Sequence, residues 1–329
     1  LSLITKSSGK VTGANQYSCQ VLTSLLNNPE IECLVLTDAE PSHYETLKKG
    51  LSVKTDTEIA FTDFFNFKAD LIAFQPDAYV VTDLNAKRFL FARNYLAEAI
   101  PVIGMVHLCG TRRSSQDLVS FFDQALPYDS LICPTEAIKT TIEKCYDQNT
   151  KEEVPFTLEV IPHGVDCHRF KPLSSHDELK KKLNIDTTKP IILTIERLNP
   201  FTKGDVVSLL RQIEQLKDEG ILFQYVIVGE PHHDSYRSFL ENYVKENHLS
   251  ECVKWVMDPD PARIHEYYQC ADIYVSIADN PAESFGLTVA EAMATQLPVI
   301  LNNVAFYAHH IEDGVEGFLI PTYGSDQHD

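Results

Sequence analysis

The chain has 329 residues, 44% of them hydrophobic, with eight cysteines and a formal net charge of −19. That length fits two domains with sizeable cores. The charge disfavours nucleic acid and anionic lipid as broad electrostatic partners, and no apolar run approaches the ~20 residues of a membrane helix. The cysteines stand singly, with no Cys-x-x-Cys pair. This argues against a zinc ribbon or redox motif and for reduced thiols in a cytoplasmic compartment. Leu1–Thr5 is too short for a secretory signal. No initiator Met stands at position 1, so a processed or cut chain is expected. Divided at Val165, both halves are acidic: 14 basic and 21 acidic residues before it, 14 and 26 after. Neither half offers an obvious basic face.

Taken in order, the strand candidates are Leu1–Thr5, Ile31–Thr37, Asp70–Phe74, Ala78–Val81, Val102–His107, Ser130–Cys133 and Thr157–Ile161. They are short, rich in branched residues and separated by amphipathic stretches, the pattern of a doubly wound parallel sheet. Arg169–Ser175 is polar and contains a proline, and the lysine-rich stretch Glu178–Leu183 reads as a short helix. A second series of strands follows at Pro190–Ile195, Phe223–Val228, Val253–Val256, Ile273–Ser276 and Pro298–Leu301. The reading is therefore α/β, with two Rossmann-like domains facing a cleft. The first covers 1–172, a linker 173–188 and the second domain 189–329. A dehydrogenase is disfavoured, because no Gly-x-Gly-x-x-Gly follows a strand and no Walker-type Gly-Lys-Ser/Thr occurs. His232-His233-Asp234 invites a metal reading. Adjacent histidines diverge, however, and no further ligand stands at metal-site spacing, so an exposed loop is expected and no metal.

The most informative stretch is Ala282-Glu283-Ser284-Phe285-Gly286-Leu287-Thr288-Val289-Ala290-Glu291-Ala292-Met293-Ala294. It lies between the strands at Ile273 and Pro298, so the order is strand, polar loop, helix, strand. Glu283 falls in the loop, and Glu291 about two turns into the helix. A helix start offers unpaired N–H groups to an anion. Carboxylates before and behind it could grip hydroxyls on both sides of a phosphate, which matches the order sugar, diphosphate, ribose.

This passage resembles the donor site of the family 4 glycosyltransferases, retaining enzymes of the two-domain GT-B fold. The family pattern is Glu, seven residues, Glu, with Phe-Gly and Glu-Ala-Met between and after. The resemblance implies that Glu291 binds the ribose and Glu283 the donor sugar. The N–H groups of Phe285, Gly286 and Leu287 face the sugar or diphosphate, with Thr288 beside them. It also implies that Arg197 and Lys203, in Ile195–Gly204, hold the diphosphate and stabilise it as it departs. A fixed cation at that point meets charge that grows in the transition state. Gly13, in Ser8–Ala14, matches a glycine of the family's phosphate-approaching loop, with Thr12 where a second Gly is common. His107, at a strand end, matches a histidine that reaches the donor sugar; it is expected to bind a hydroxyl or the reacting face, without acting as nucleophile. Ile161–Pro172 resembles the family's Pro-Asn-Gly-Val-Asp…Phe-x-Pro segment. Its expected role is structural, with Gly164 in a tight turn and Phe170 packed at the domain junction.

The resemblance thus implies a hexosyl transfer from a nucleotide sugar to a hydroxyl of an unidentified acceptor. No cofactor or metal is implied beyond the nucleotide-sugar co-substrate. The acidic first half points to a soluble acceptor. A nucleotide-sugar epimerase or hydrolase, or a non-catalytic nucleotide-sugar-binding subunit, are the alternatives. Three departures mark this chain. Glu196 stands where a small residue is usual, Gln296 likewise, and Asn302–Ile311 lacks a paired glycine. The chain also ends soon after Pro321, where relatives continue through several helices, so truncation is expected.

Overall fold

The computed structural model describes residues 13–37, 57–62, 66–82, 84, 86–107, 112–201, 203–257, 259–278, 283–304, 307 and 310–322. They form two compact units, Leu1–Gly164 and Val165–Asp329.

In the first unit, β1 (Cys33–Thr37) pairs in parallel with β2 (Glu58–Thr62). A four-stranded parallel sheet follows in the order β3 (Tyr79–Val81), β4 (Val102–Met105), β5 (Ser130–Cys133), β6 (Thr157–Val160). Parallel strands need crossovers, and helices supply them. The helix Glu136–Thr150 shows the local logic. Thr135 caps it by accepting the Ile138 N–H at 3.3 Å, and Ile138, Ile142 and Tyr146 recur every fourth residue to form its buried stripe. That stripe packs on Leu131, Cys133, Phe121 and Phe156.

The second unit is a six-stranded parallel sheet. Its strands are β7 (Ile191–Ile195), β8 (Gln224–Val228), β9 (Val253–Val256), β10 (Ile273–Ser276), β11 (Val299–Asn302) and β12 (Gly317–Ile320). Their spatial order is β12-β11-β10-β7-β8-β9. The inner strands β7, β8, β10 and β11 are mainly apolar because both of their faces are covered. Leu193, Ile195, Val226 and Val228 enter one core with Tyr268, Val289 and Val299. Tyr225 and Ile227 enter the other, with Leu210, Ile213, Leu240 and Val244. The alternation follows from the two-residue period of a strand. Asp205 caps Val206–Asp218 by accepting the Val207 N–H at 3.1 Å.

Three sequence expectations change here. Asp70–Phe74, read as a strand, lies in the helix Phe67–Phe74, which Gln75 closes in the left-handed conformation. Only Leu71 of its apolar run is buried, while Ile72 and Phe74 face solvent. A short apolar run does not distinguish strand from helix by itself. Glu58–Thr62 and Gly317–Ile320 are strands not anticipated as such. The linker stretch contains its expected short helix, as Asp177–Lys182, but it does not stand apart: Leu183 and Ile185 enter the second unit's core. Phe170 joins the same core. The Leu1–Thr5 strand and residues 8–12 lie outside the described residues; Gly13 opens the helix Gly13–Leu26.

Candidate functional site

The order of the second sheet reverses between β7 and β10. From β7 the chain runs to β8 and β9 on one side; β10, β11 and β12 follow on the other. Ligands of open α/β sheets bind outside the carboxyl ends of the strands at such a switch point. The carboxyl end of β7 leads into Glu196, Arg197 and, six residues on, Lys203; that of β10 leads toward Glu283. The two loops meet there. Lys203 Nζ forms an ion pair with Glu283 Oε2, with the side chains only 20% and 13% exposed. Gly204 permits the approach, since a Cβ at that position would come within 2.5 Å of the Ile277 carbonyl oxygen.

Arg197 is exposed at the same edge, with no acidic partner among the described residues. Burial pulls the Lys203 ammonium down to about 8; the Arg197 charge acts in the same direction and Glu196 opposes both. Contact with the Glu283 carboxylate also favours the charged form. Glu196 is buried, and the Ser276 hydroxyl approaches its Oε2 at 3.5 Å. Its carbonyl lies where a side chain on Gly229 would sit, at 1.9 Å from such a Cβ. The unusual glutamate before Arg197 is therefore buried just past the end of β7, where its N–H donates to the Val228 carbonyl oxygen.

Glu291 follows one loop and half a helix after Glu283. Gly286 precedes the helix Leu287–Ala294 with φ +79°, and an added Cβ would come within 2.4 Å of the Tyr307 ring. Both facts call for glycine. The Gly286 carbonyl accepts the N–H groups of Val289 and Ala290, which leaves those of Leu287 and Thr288 as helix-start donors. Glu291 is 4% exposed, so it is not on a solvated face. Its Oε2 lies 3.0 Å from the Tyr268 hydroxyl, which is also 3.1 Å from the Thr288 carbonyl oxygen. Burial, then the Glu291 charge, raises the Tyr268 pKa well above its usual 10.

In the first unit His107 follows β4. Its Nε2 bonds the Thr82 carbonyl oxygen. A carbonyl only accepts, so Nε2 carries the proton and, in the neutral ring, Nδ1 keeps its lone pair. Burial lowers the His107 pKa and the Thr82 bond opposes it. Two further rings share this place: Tyr17 at 5.0 Å from His107 and His163 at 5.7 Å, with Tyr17 and His163 4.1 Å apart. Burial, with His107 adding to it, depresses His163 to about 4. Tyr17 lies about one helical turn after Gly13. Tyr17 does not stand out in the sequence, and the Ile161–Pro172 segment that holds His163 reads as structural. The available signal was a histidine at the second position of a segment whose relatives carry asparagine.

Other expectations are corrected by geometry. Gly164 has no positive φ, and nothing lies within 4 Å of an added Cβ, so its position does not demand glycine. Asp166 shapes a local turn: its Oδ1 accepts from the N–H groups of His168 and Arg169 at 3.0 and 3.3 Å. His232 and His233 are exposed, but their rings do not diverge; the centroids are 4.3 Å apart. Among the described residues no group of three or more His, Cys, Asp or Glu side chains could hold a metal. A concavity of about 690 Å³ in the first unit is lined by Lys68, Lys87, Arg88, Phe91 and Tyr95. It lies on helices and collects none of the strand-end residues, so chemistry rather than volume locates the site.

The parallel sheets with covering helices have the GT-B fold. The chain is similar to the crystal structure of Anabaena HepE in complex with UDP-glucose, with a TM-score of 0.73 at 18% identity, covering 98% of this chain and 85% of that one. That likeness concerns fold. In sequence, residues 175–328 match the glycosyl transferases group 1. The D-inositol 3-phosphate glycosyltransferase of Nocardia farcinica is 28% identical over 167 residues, which is 50% of this chain and 36% of that protein. The lipopolysaccharide core biosynthesis mannosyltransferase LpsB of Rhizobium meliloti is 30% identical over 166 residues, 50% of this chain and 45% of that one. The chain thus spans less than half the length of these curated relatives.

Proposed function

We propose that this protein is a retaining glycosyltransferase that moves a hexosyl group from a nucleotide-diphosphate sugar to an acceptor hydroxyl. The observation that carries the reading is the ion pair of Lys203 with Glu283 at the switch point of the second sheet, where the Arg197 charge also acts on Lys203, in the loop that leads into Leu287–Ala294. Two neighbouring cations at a helix start make an anion site. Relatives of the matched half are named for sugar transfer, and HepE was crystallised with UDP-glucose.

In this reading the diphosphate lies on Arg197, Lys203 and the N–H groups of Phe285, Gly286 and Leu287. Thr288 stands beside them. Glu283 accepts hydroxyls of the donor sugar and Glu291 those of the ribose. Gly13 lets backbone approach the phosphate, and His107 contacts the sugar. With Nε2–H on the Thr82 carbonyl, the neutral His107 ring can accept a sugar hydroxyl's hydrogen bond only at Nδ1.

During transfer the bond from the anomeric carbon to the β-phosphate oxygen breaks. The acceptor oxygen bonds to that carbon on the same face, and its proton passes to the leaving phosphate. Arg197 and Lys203 stabilise the negative charge that grows there. This same-face course is what the family resemblance implies, and it needs neither a separate protein base nor a metal. The acidic charge, and the lack of a helix long and apolar enough to cross a membrane among the described residues, support a soluble acceptor. The seven free cysteines among the described residues fit a reducing, cytoplasmic compartment.

The test is donor turnover with UDP-, GDP- and ADP-sugars, with and without an acceptor mixture. Acceptor-dependent release of nucleotide, with the anomeric configuration kept in the product, supports the reading. Turnover of donor alone would replace it with an epimerase or hydrolase.

A further inference from the structure

Two residues assigned to adjoining groups of the donor hold each other in an ion pair. Lys203 awaits the diphosphate and Glu283 the sugar, yet Lys203 Nζ is paired with Glu283 Oε2. Two other lysine or arginine pairs of this unit involve Glu266, with cationic side chains 58% and 37% exposed. Such exposed pairs contribute little. The Lys203–Glu283 pair is mostly shielded on both sides, so its exchange for a ligand has consequences.

Two ligands divide the pair differently. A nucleoside diphosphate draws Lys203 onto its phosphates. Glu283 then loses its counter-charge and faces a terminal phosphate, which carries an extra ionisation near neutral pH. Like charges at short range oppose each other. An intact sugar nucleotide also takes Lys203, but its sugar hydroxyls donate to Glu283 and restore charge-assisted hydrogen bonds. Its β-phosphate, esterified, lacks the extra charge.

We infer that Glu283, through its ion pair with Lys203, makes this site discriminate against the nucleoside diphosphate product in favour of the intact sugar nucleotide. Glu283 thereby has a second role beside sugar contact: it promotes departure of the spent nucleotide. Arg197, exposed and without an acidic partner among the described residues, gives the diphosphate a contact in both states and does not discriminate. The inference rests on the reading of the switch point as the donor site.

The experiment is calorimetric titration of the full chain with UDP, GDP and ADP and with their glucose and mannose conjugates. The ratio of the nucleotide Kd to the sugar-nucleotide Kd is the readout. In the wild type the sugar nucleotide binds more tightly. Glu283→Gln and Glu283→Ala tighten the free nucleotide and lower the ratio by about tenfold. Two substitutions keep the test open should one fail to fold. A ratio that falls less than threefold in a folded variant, or a wild type that binds the nucleotide as tightly as its sugar conjugate, overturns the inference while leaving the donor site standing. Absence of binding for every base overturns both.

Discussion

Two ion pairs, one in each unit, do opposite jobs. Arg93 and Asp129 in the first unit are fully buried and joined bidentately at 2.6 and 2.8 Å. Asp129 also accepts the N–H groups of Val102 and Leu126 at 2.8 and 2.7 Å. Arg93 spends its remaining donors on Asn94, Ile100 and Gln124. Every donor and acceptor of that pair is used by the protein, so it has nothing to offer a ligand. It ties the helix Lys87–Leu96 to the start of β4 and the turn before β5. Lys203 and Glu283, in contrast, lie in the loops that follow β7 and β10, with Arg197, which has no acidic partner among the described residues, at the same edge. A saturated buried pair is architecture; a partly satisfied pair at a sheet's switch point is available for exchange.

The sharpest break of this contrast is Asp129→Ala. It strands a buried guanidinium and should cost about 3–5 kcal/mol. Denaturant unfolding checks it, and any loss of activity should track loss of fold. Arg197→Ala should do the reverse. It should lower kcat on the order of 10²–10³-fold with little change in the unfolding midpoint, as steady-state kinetics beside thermal melting would show.

The third prediction uses pH. Lys203 gives up its proton near 8 in the folded protein, against a usual 10.5. Above that pH its charge is lost to the diphosphate, so kcat/KM should fall about tenfold per pH unit beyond 8, and Lys203→Arg should move the limb to higher pH. Stability should change in the opposite sense. Between about 8 and 10.5 the unfolded chain holds more protons at this group, so its contribution to stability rises with pH. A pH–rate profile and melts across the same range separate the two. The smallest effect belongs to Thr135→Ala in the first unit. Loss of that cap should cost about 1 kcal/mol, without altering transfer.

Much of the second unit was legible because its inner strands are buried on both faces. Val253–Val256 and Ile273–Ser276 stand where their β-branched runs place them. The first unit was harder. Phe-Lys-Ala-Asp-Leu-Ile-Ala-Phe is apolar enough for a strand, but with Ile72 and Phe74 at the surface its periodicity belongs to a helix. Gly317–Ile320 was hidden because Phe318 and Ile320 face outward, and because the glycine that fits against the Val299 carbonyl is a poor strand former.

The candidate site was legible as motifs but not as contacts. Nothing local in the sequence pairs Lys203 with Glu283 across 80 residues, or brings His163 to Tyr17 and His107. Those meetings are set by the sheet order and by glycines such as Gly204 and Gly286, whose missing Cβ atoms admit a carbonyl and a tyrosine ring. Tyr307 itself comes from a segment that lacks the expected paired glycine. It fills the space beneath Gly286 instead.

The central claim is that the switch point of the second sheet holds a nucleotide sugar through Lys203, Arg197 and Glu283. Its most direct test is a titration of the wild-type chain with UDP-, GDP- and ADP-sugars beside Arg197→Ala and Lys203→Ala. The account predicts that the sugars of one base bind, and that each substitution weakens binding tenfold or more while the unfolding midpoint holds. Binding unaltered by both substitutions, or no binding by any of the three series, would contradict it.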